Sequence, residues 1–149
     1  MPEPPTQSIR EAAAFLGVSP HTLRYYDRDG LLTVPRDPTG ERRYGAQELG
    51  FLKFLIYLRG TGMGMAGLRE YAALAREGEG TVEARRQLLI RHEAQVAAQL
   101  NDMHRALDAI REKIARYDRL NDQSASAQGH GLTHLDPSPA SVPALPQGI

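Results

Sequence analysis

The sequence lacks cysteine altogether, and it also lacks tryptophan. Without cysteine it has no disulfide, no thiolate metal ligand and no thiol redox chemistry. It contains no run of about 18 apolar residues, so we predict no membrane span. Its start, MPEPPTQS, has neither the basic beginning nor the apolar stretch of a signal peptide. These absences favour a cytoplasmic protein, and nothing among the residues calls for a cofactor or a metal.

The sequence also lacks a net charge, because 18 basic residues balance 18 acidic residues. A bulk basic excess, which is common in nucleic-acid-binding proteins, is therefore missing. No glycine-rich phosphate loop, nucleophile–base pair or metal-ligand spacing is present, so we do not expect an enzyme. His130 and His134 are four residues apart, but Gly129 and Gly131 disfavour a helix there. Two ligands are also too few for a closed metal site.

The chain divides into three zones by composition. Residues 1–80 mix helical stretches with glycine and proline, residues 82–120 contain neither, and residues 121–149 are rich in Ser, Ala, Gln, Gly and Pro. The third zone cannot bury enough apolar surface to offset its ordering entropy, so we predict a disordered tail over 121–149.

Apolar residues in the second zone repeat every seven positions in two rows. The first row is Val82, Leu89, Val96, Met103, Ile110 and Tyr117, and the second row is Leu100, Leu107 and Ile114. This pattern predicts a coiled-coil dimerisation helix over 82–120. The alternative is a long helix packed on its own domain, but the N-terminal zone is too small to cover the whole stripe.

The first zone begins with two short helices joined by a tight turn. Ser8 and Glu11 form a capping-box pattern, and Gly17 ends the first helix. Ser19 is the expected N-cap of a second helix that runs from Pro20 to about Arg28. In that helix the side chains of residues 23 and 26, which are three apart, face inward together. This arrangement predicts a helix-turn-helix.

A turn and two further helices follow. Asp37, Pro38 and Gly40 occupy favoured places of a type I turn, so residues 32–35 and 41–44 are predicted as the strands of a short β-hairpin wing. A third helix is predicted from about Ala46 to Arg59, and a fourth over residues 65–77. The expected fold class is mainly α, a winged helix-turn-helix followed by a long coiled-coil helix.

Arginine, serine, threonine, tyrosine and helix N-termini are the groups that contact a DNA backbone, and the second helix of a helix-turn-helix enters the major groove. We therefore predict a DNA-binding surface with nine residues. They are Ser19, His21, Thr22, Arg24, Tyr25 and Arg28 on the second helix, and Arg42, Arg43 and Tyr44 on the wing. The alternative is that Tyr25 and Tyr26 are both core aromatics and the arginines form surface ion pairs. For Tyr26 the core position is the favoured interpretation.

The stretches SIREAAAFLGVSPHTLRYYDRDGLL and GERRY, with the apolar helix after them, resemble the MerR family of bacterial transcription regulators. The resemblance covers residues 6–77, and the heptad helix resembles the family's dimerising helix. It implies a homodimer joined by an antiparallel coiled coil. It also implies binding to double-stranded promoter DNA with a long spacer, which the dimer bends and untwists so that RNA polymerase can engage it. By position, Thr22, Arg24, Tyr25 and Arg43 correspond to the family's DNA-contacting residues.

Family members that sense metals, oxidants or aldehydes use cysteines, which this sequence lacks, and a small-molecule effector remains unidentified. Two other functions remain open from the sequence. One is an architectural or recombination accessory protein that bends DNA without controlling a promoter. The other is a coiled-coil adaptor that binds protein through the same winged unit.

Overall fold

A computed structural model of the chain describes residues 2–127. These residues form five α-helices, and a single 3₁₀ turn (Glu79–Thr81) precedes the last helix. The helices are α1 (Ile9–Leu16), α2 (Pro20–Arg28), α3 (Ala46–Gly60), α4 (Met65–Glu77) and α5 (Val82–Ala127). The predicted mainly helical class is confirmed. Within the described residues, none of the helices has both the length and the apolar character needed to cross a membrane.

The first two helices begin and end where the local signals place them. The Ser8 hydroxyl accepts from the Glu11 amide at 3.2 Å, and the Glu11 carboxylate accepts from the Ser8 amide at 3.1 Å. Gly17 adopts a φ of 72°, a left-handed conformation that favours glycine. The Ser19 hydroxyl then accepts from the Thr22 amide at 3.1 Å and caps α2. The capping box and both helix starts predicted from the sequence are confirmed.

One hydrophobic core joins the first four helices. From α2, Leu23 and Tyr26 are buried, as their spacing predicted. The other helices contribute Ala12 and Ala13 of α1, Leu52, Leu55 and Leu58 of α3, and Leu68 and Ala72 of α4. The buried faces follow the helical period, so the inward-facing side of α2 is fixed by packing.

The wing differs from the predicted β-hairpin. It contains no regular strand within the described residues, only isolated antiparallel bridges, Arg36 with Arg42 and Gln7 with Tyr44. Backbone pairing between the arms stops early because α3 begins at Ala46, and the Gly45 amide, which would pair next, donates to the Glu48 carboxylate at 2.9 Å. Tyr44 exchanges hydrogen bonds with Gln7 at 2.8 and 2.9 Å on the opposite edge. The Asp37 carboxylate also accepts from two amides of the turn, those of residues 39 and 41. The wing is therefore a loop whose arms share two backbone hydrogen bonds and whose turn is braced by the Asp37 side chain.

The last helix continues past the boundary predicted from composition. Residues 121–127 belong to α5, so the disorder predicted from residue 121 is wrong for this stretch. The physical reason is that no glycine or proline interrupts the chain before Gly129, and the polar residues there are compatible with a helix. Residues 128–149, with His130 and His134, lie outside the described part of the chain.

The chain forms two compact units, which divide after Val96. In the first unit, α5 is anchored by two residues that are not in the heptad rows. Leu88 is buried, and the buried His92 places its Nε2 atom 2.7 Å from the hydroxyl oxygen of Thr61. The heptad rows gave no signal for either residue, because both anchors face this unit's own core.

The heptad residues themselves are largely uncovered in the single chain. In the first unit Leu89 and Val96 are half-buried and Val82 is exposed. In the second unit all six heptad side chains are exposed: Leu100, Met103, Leu107, Ile110, Ile114 and Tyr117. A helix with such an apolar stripe is stable in water only when another surface covers the stripe.

The buried face of α3 gives a test of this core. Leu52 is 0% exposed, so Leu52→Ala is expected to lower the free energy of unfolding by about 2–5 kcal/mol, through lost burial and a residual cavity. Its exposed neighbour provides the control, since Lys53→Ala is expected to change stability by less than about 0.5 kcal/mol. Urea unfolding at one fixed protein concentration measures both, and equal effects would contradict the assigned core.

Candidate nucleic-acid interface

The two adjacent tyrosines of helix α2 lie in different environments, one in the core and one at the surface. Tyr26 is 5% exposed and lies in the core, whereas Tyr25 is 44% exposed. Their ring centroids are 6.2 Å apart, so the buried ring supports the exposed one. His21 and Arg28 are also exposed. Of the residues predicted on this helix, Thr22 and Arg24 are half-buried and Ser19 is exposed at the N-cap.

A groove of about 430 Å³ lies between the start of α1, helix α2 and the wing. We call it the arginine groove. Its lining includes four arginines, Arg10, Arg24, Arg36 and Arg42, together with Ser8, Ile9, Gly40 and Glu41. The start of α1 adds the positive end of a helix dipole to the four guanidinium groups. Such a lining favours phosphate, because guanidinium groups form charge-assisted hydrogen bonds with phosphate oxygens.

Sequence reasoning identified only part of this groove. It named Arg24 and Arg42, but it missed Arg10 and Arg36. Arg10 lies on α1 and precedes Arg24 by 14 positions in the chain. No spacing pattern within either helix links the two arginines. The folding of the wing against the first two helices brings the four arginines together.

Arg42 does not stand free in the groove. Its Nε donates to the Asp27 carboxylate at 2.6 Å, and the two side chains are only 17% and 18% exposed. The guanidinium of Arg36 lies 3.9 Å from the same carboxylate and is 51% exposed. Asp27 of α2 therefore contacts both arms of the wing.

Asp29, the second acid at the end of α2, bonds in another direction. The Arg69 guanidinium donates to its two carboxylate oxygens at 2.8 and 3.0 Å. These hydrogen bonds lower the pKa of Asp29 and raise the pKa of Arg69. Arg76 donates to the carbonyl of Gly30 at 2.7 Å. Helix α4 thus holds the C-terminal end of α2.

Arg43 is bonded to the segment that precedes α1. Its guanidinium donates to the Thr6 hydroxyl at 3.0 Å and to the Thr6 carbonyl at 2.9 Å. The side chain remains half-exposed. A DNA contact through Arg43 stays a prediction, and the bonds to Thr6 give the arginine a structural role as well.

Tyr44 is a core residue, and its predicted DNA contact is wrong. Its exposed fraction is 0%, and burial raises the pKa of its hydroxyl. The backbone pairing with Gln7 turns this ring inward against the first four helices. The sequence did not reveal this, because an aromatic residue after two arginines fits a surface strand as well as a core position.

A second groove continues along the exposed face of α2 on the side of α3 and α4. It has a volume of about 300 Å³, and it is lined by His21, Thr22, Tyr25 and Tyr26 together with Arg59 and Met65. Arg59 was not among the predicted site residues. The N-terminal half of α2 is therefore bordered by a cationic side chain on each flank, Arg59 here and Arg10 in the arginine groove.

Comparison with known proteins gives matches in both sequence and structure. The model of the MerR HTH family regulatory protein matches residues 7–74. An uncharacterised HTH-type transcriptional regulator of Haemophilus influenzae is 35% identical over 115 residues, which are 76% of this chain and 85% of that protein. The HTH-type transcriptional regulator AdhR of Bacillus subtilis is 37% identical over 83 residues, which are 55% of this chain and 59% of AdhR.

Solved structures agree with these matches. HiNmlR, a MerR family regulator lacking the sensor domain, was crystallised bound to promoter DNA. It is 33% identical, with a TM-score of 0.74 over 80% of this chain and 92% of that one. A MerR family regulator from Listeria monocytogenes is 35% identical, with a TM-score of 0.71 over 82% of this chain and 99% of that one.

The ion pair between Asp29 and Arg69 predicts a pH-dependent contribution to stability. Because the pKa of Asp29 is lowered in the folded state, the pair stabilises the fold above the ordinary aspartate pKa. That stabilisation is lost as the pH falls through the lowered value. Asp29→Asn is therefore expected to lower the thermal midpoint at neutral pH, and the difference from the wild type is expected to vanish in strong acid.

Glu70→Gln is the control for this experiment, since it removes one negative charge from the exposed surface next to Arg69. It is expected to leave the thermal midpoint nearly unchanged at neutral pH. A difference between wild type and Asp29→Asn that stays constant down to strong acid would contradict the role of the carboxylate.

Proposed function

Because this chain belongs to the MerR family of helix-turn-helix transcriptional regulators, we propose that it binds promoter DNA as a homodimer and distorts the promoter spacer. The observation that carries this proposal is the exposed face of α2, which the arginine groove borders. The crystal structure of HiNmlR bound to promoter DNA supports it from a similar fold.

The exposed face of α2 is suited to the major groove. Its N-terminal turn offers Ser19, His21 and Thr22, and dipole and free amides at a helix N-terminus favour phosphate. Tyr25 adds a hydroxyl on a rigid ring, and Arg28 adds a cation at the other end. These residues, Arg24 and Arg43 are the proposed DNA contacts. Tyr44 is excluded from this set because it is buried.

Homodimerisation is proposed from the apolar stripe on α5. Met103 is 70% exposed and Ile110 is 56% exposed, although both are apolar. Two rows with a seven-residue period match the seam of a two-stranded coiled coil, in which a second copy supplies the same pattern. Such a dimer would hold two α2 helices at a fixed spacing, as binding to two successive DNA half-sites requires.

The promoter is the proposed site of action. Two α2 helices in successive major grooves can bend and untwist the DNA between them, and deformation of a promoter spacer changes how RNA polymerase meets its two promoter elements. RNA polymerase is therefore the proposed partner at the promoter, and in a bacterium this places the protein in the cytoplasm. The regulatory relatives favour this function over a recombination accessory protein or a protein-binding adaptor.

Arg24 tests the DNA contact. Arg24→Ala is expected to weaken binding to all duplex sequences similarly, and to lower the slope of log affinity against log salt by about 1, because a phosphate contact is lost. Binding is measured by fluorescence anisotropy on duplexes that the wild type selects from a random-sequence library, and on one unselected duplex.

The control for Arg24 is Arg91→Ala, which removes an exposed arginine from α5. Its salt slope is expected to equal that of the wild type. A loss of affinity for Arg24→Ala that is confined to one base position would show base readout and contradict the phosphate contact.

The heptad stripe tests the dimer. Ile110→Glu is expected to shift the chain to monomers in sedimentation equilibrium and to weaken DNA binding, because a carboxylate would be buried in the seam. Ala109→Glu introduces the same charge at an exposed position outside both rows, and it is expected to leave the dimer intact. A dimer that survives Ile110→Glu with unchanged DNA affinity would contradict the seam.

A further inference from the structure

Helix α2 carries a carboxylate at a position where electrostatic repulsion disfavours a negative charge. Asp27 lies in its last turn, where the negative end of the helix dipole repels an acidic side chain. It also belongs to the helix proposed to approach DNA, whose phosphates repel the same charge. The residue therefore needs a compensating contact, and its bond to Arg42 at 2.6 Å supplies one.

Two backbone hydrogen bonds join the arms of the wing, from the Asp37 amide to the Glu41 carbonyl at 2.9 Å and from the Arg43 amide to the Pro35 carbonyl at 2.8 Å. The single bridge between its two arms joins Arg36 to Arg42. Those two arginines are also the ones whose guanidinium groups reach Asp27, at 3.9 and 2.6 Å. One carboxylate on α2 thus contacts both arms beside this bridge and links the paired arms to the helix.

The same contact divides the cations of the arginine groove into two kinds. Arg42 is 17% exposed, and its Nε is occupied by Asp27. Arg36 is 51% exposed; it donates to the Gly40 carbonyl at 2.8 Å and meets Asp27 only at 3.9 Å. Arg24 forms the α2 side of the same groove. The partly buried pair acts as a brace, and the exposed Arg36 remains available to an anion.

We propose that Asp27 is a positioning residue for DNA binding. It holds the wing against α2 through Arg42, so that Arg24 and Arg36 face one stretch of phosphate backbone. Arg42 acts within the protein and is not a direct DNA contact, which revises its predicted role. This inference rests on the proposed function, because it assumes that the arginine groove meets DNA.

Removal of the Asp27 charge separates this role from simple electrostatics, because the two predict opposite changes in DNA affinity. Removing an acid beside a phosphate normally strengthens DNA binding, and Glu41→Ala, in the same groove, is expected to increase affinity about two- to threefold. Asp27→Ala removes the same charge, but it is expected to decrease affinity about tenfold, because a charge-assisted hydrogen bond that orders the wing is lost.

Both variants are measured on the duplexes that the wild type selects from a random-sequence library. Hydroxyl-radical footprinting gives a second readout. Asp27→Ala is expected to lose protection on the part of the backbone that faces the wing, and to keep protection in the major groove that α2 occupies. A general loss of folding would remove both regions together, and thermal unfolding of each variant checks this directly.

A double-mutant cycle identifies the partner. Arg42→Ala alone, and the combination of Asp27→Ala with Arg42→Ala, are expected to bind as weakly as Asp27→Ala, because all three lack the same contact. If Asp27→Ala lowers the thermal midpoint too far for binding studies, Asp27→Asn preserves the size of the side chain. It is expected to weaken binding in the same direction.

Two outcomes would overturn the inference. One is tighter binding by Asp27→Ala, matching Glu41→Ala. The other is an additive loss in the double mutant, which would mean that Arg42 contacts DNA by itself. A wild-type chain that selects no duplex from the library would contradict the proposed function, and the inference with it.

Discussion

The burial of Leu23 and Tyr26 is the constraint on which the rest of the structure depends. Helix α2 has nine residues, and these two fix its rotation about its own axis. With that face in the core, Tyr25 and its exposed neighbours must point outward. Gly17 ends α1 and Ser19 caps α2, so the turn between the two helices is short. A DNA-facing surface follows from where the apolar residues have to go.

The composition has no net charge, so a cationic surface depends on where the fold places the charged side chains. The two aspartates at the end of α2 would weaken an approach to DNA if they were free. Instead Asp27 binds the wing and Asp29 binds α4, so each carboxylate forms an ion pair with an arginine of the protein. Arg10, Arg24 and Arg36 line the arginine groove beside the paired Arg42. A protein with no net charge can thus present a locally cationic surface, and its geometry then matters as much as its overall field.

Most of the fold was predictable from local signals in the sequence. The errors arose where residues far apart in the chain contact each other. Helices α1 and α2 were predictable because capping residues and glycines act within a few positions of the chain. The wing was mispredicted because its return arm ends where α3 begins, and because Tyr44 pairs on the opposite edge with Gln7, which is 37 positions away. That pairing also buries the ring that the pattern had placed on the surface. Arg10 and Arg36 were missed for the same reason, since only the tertiary fold brings them beside Arg24.

A crystal structure of the full chain with a duplex that it selects tests most directly whether α2 and its groove form the DNA-binding surface. The expected result is two chains on one duplex, with the α2 helices in successive major grooves and phosphates beside Arg24. The bond between Asp27 and Arg42 should be intact. A single chain on the duplex, or DNA bound to a surface that does not include α2, would contradict the proposed role of this surface.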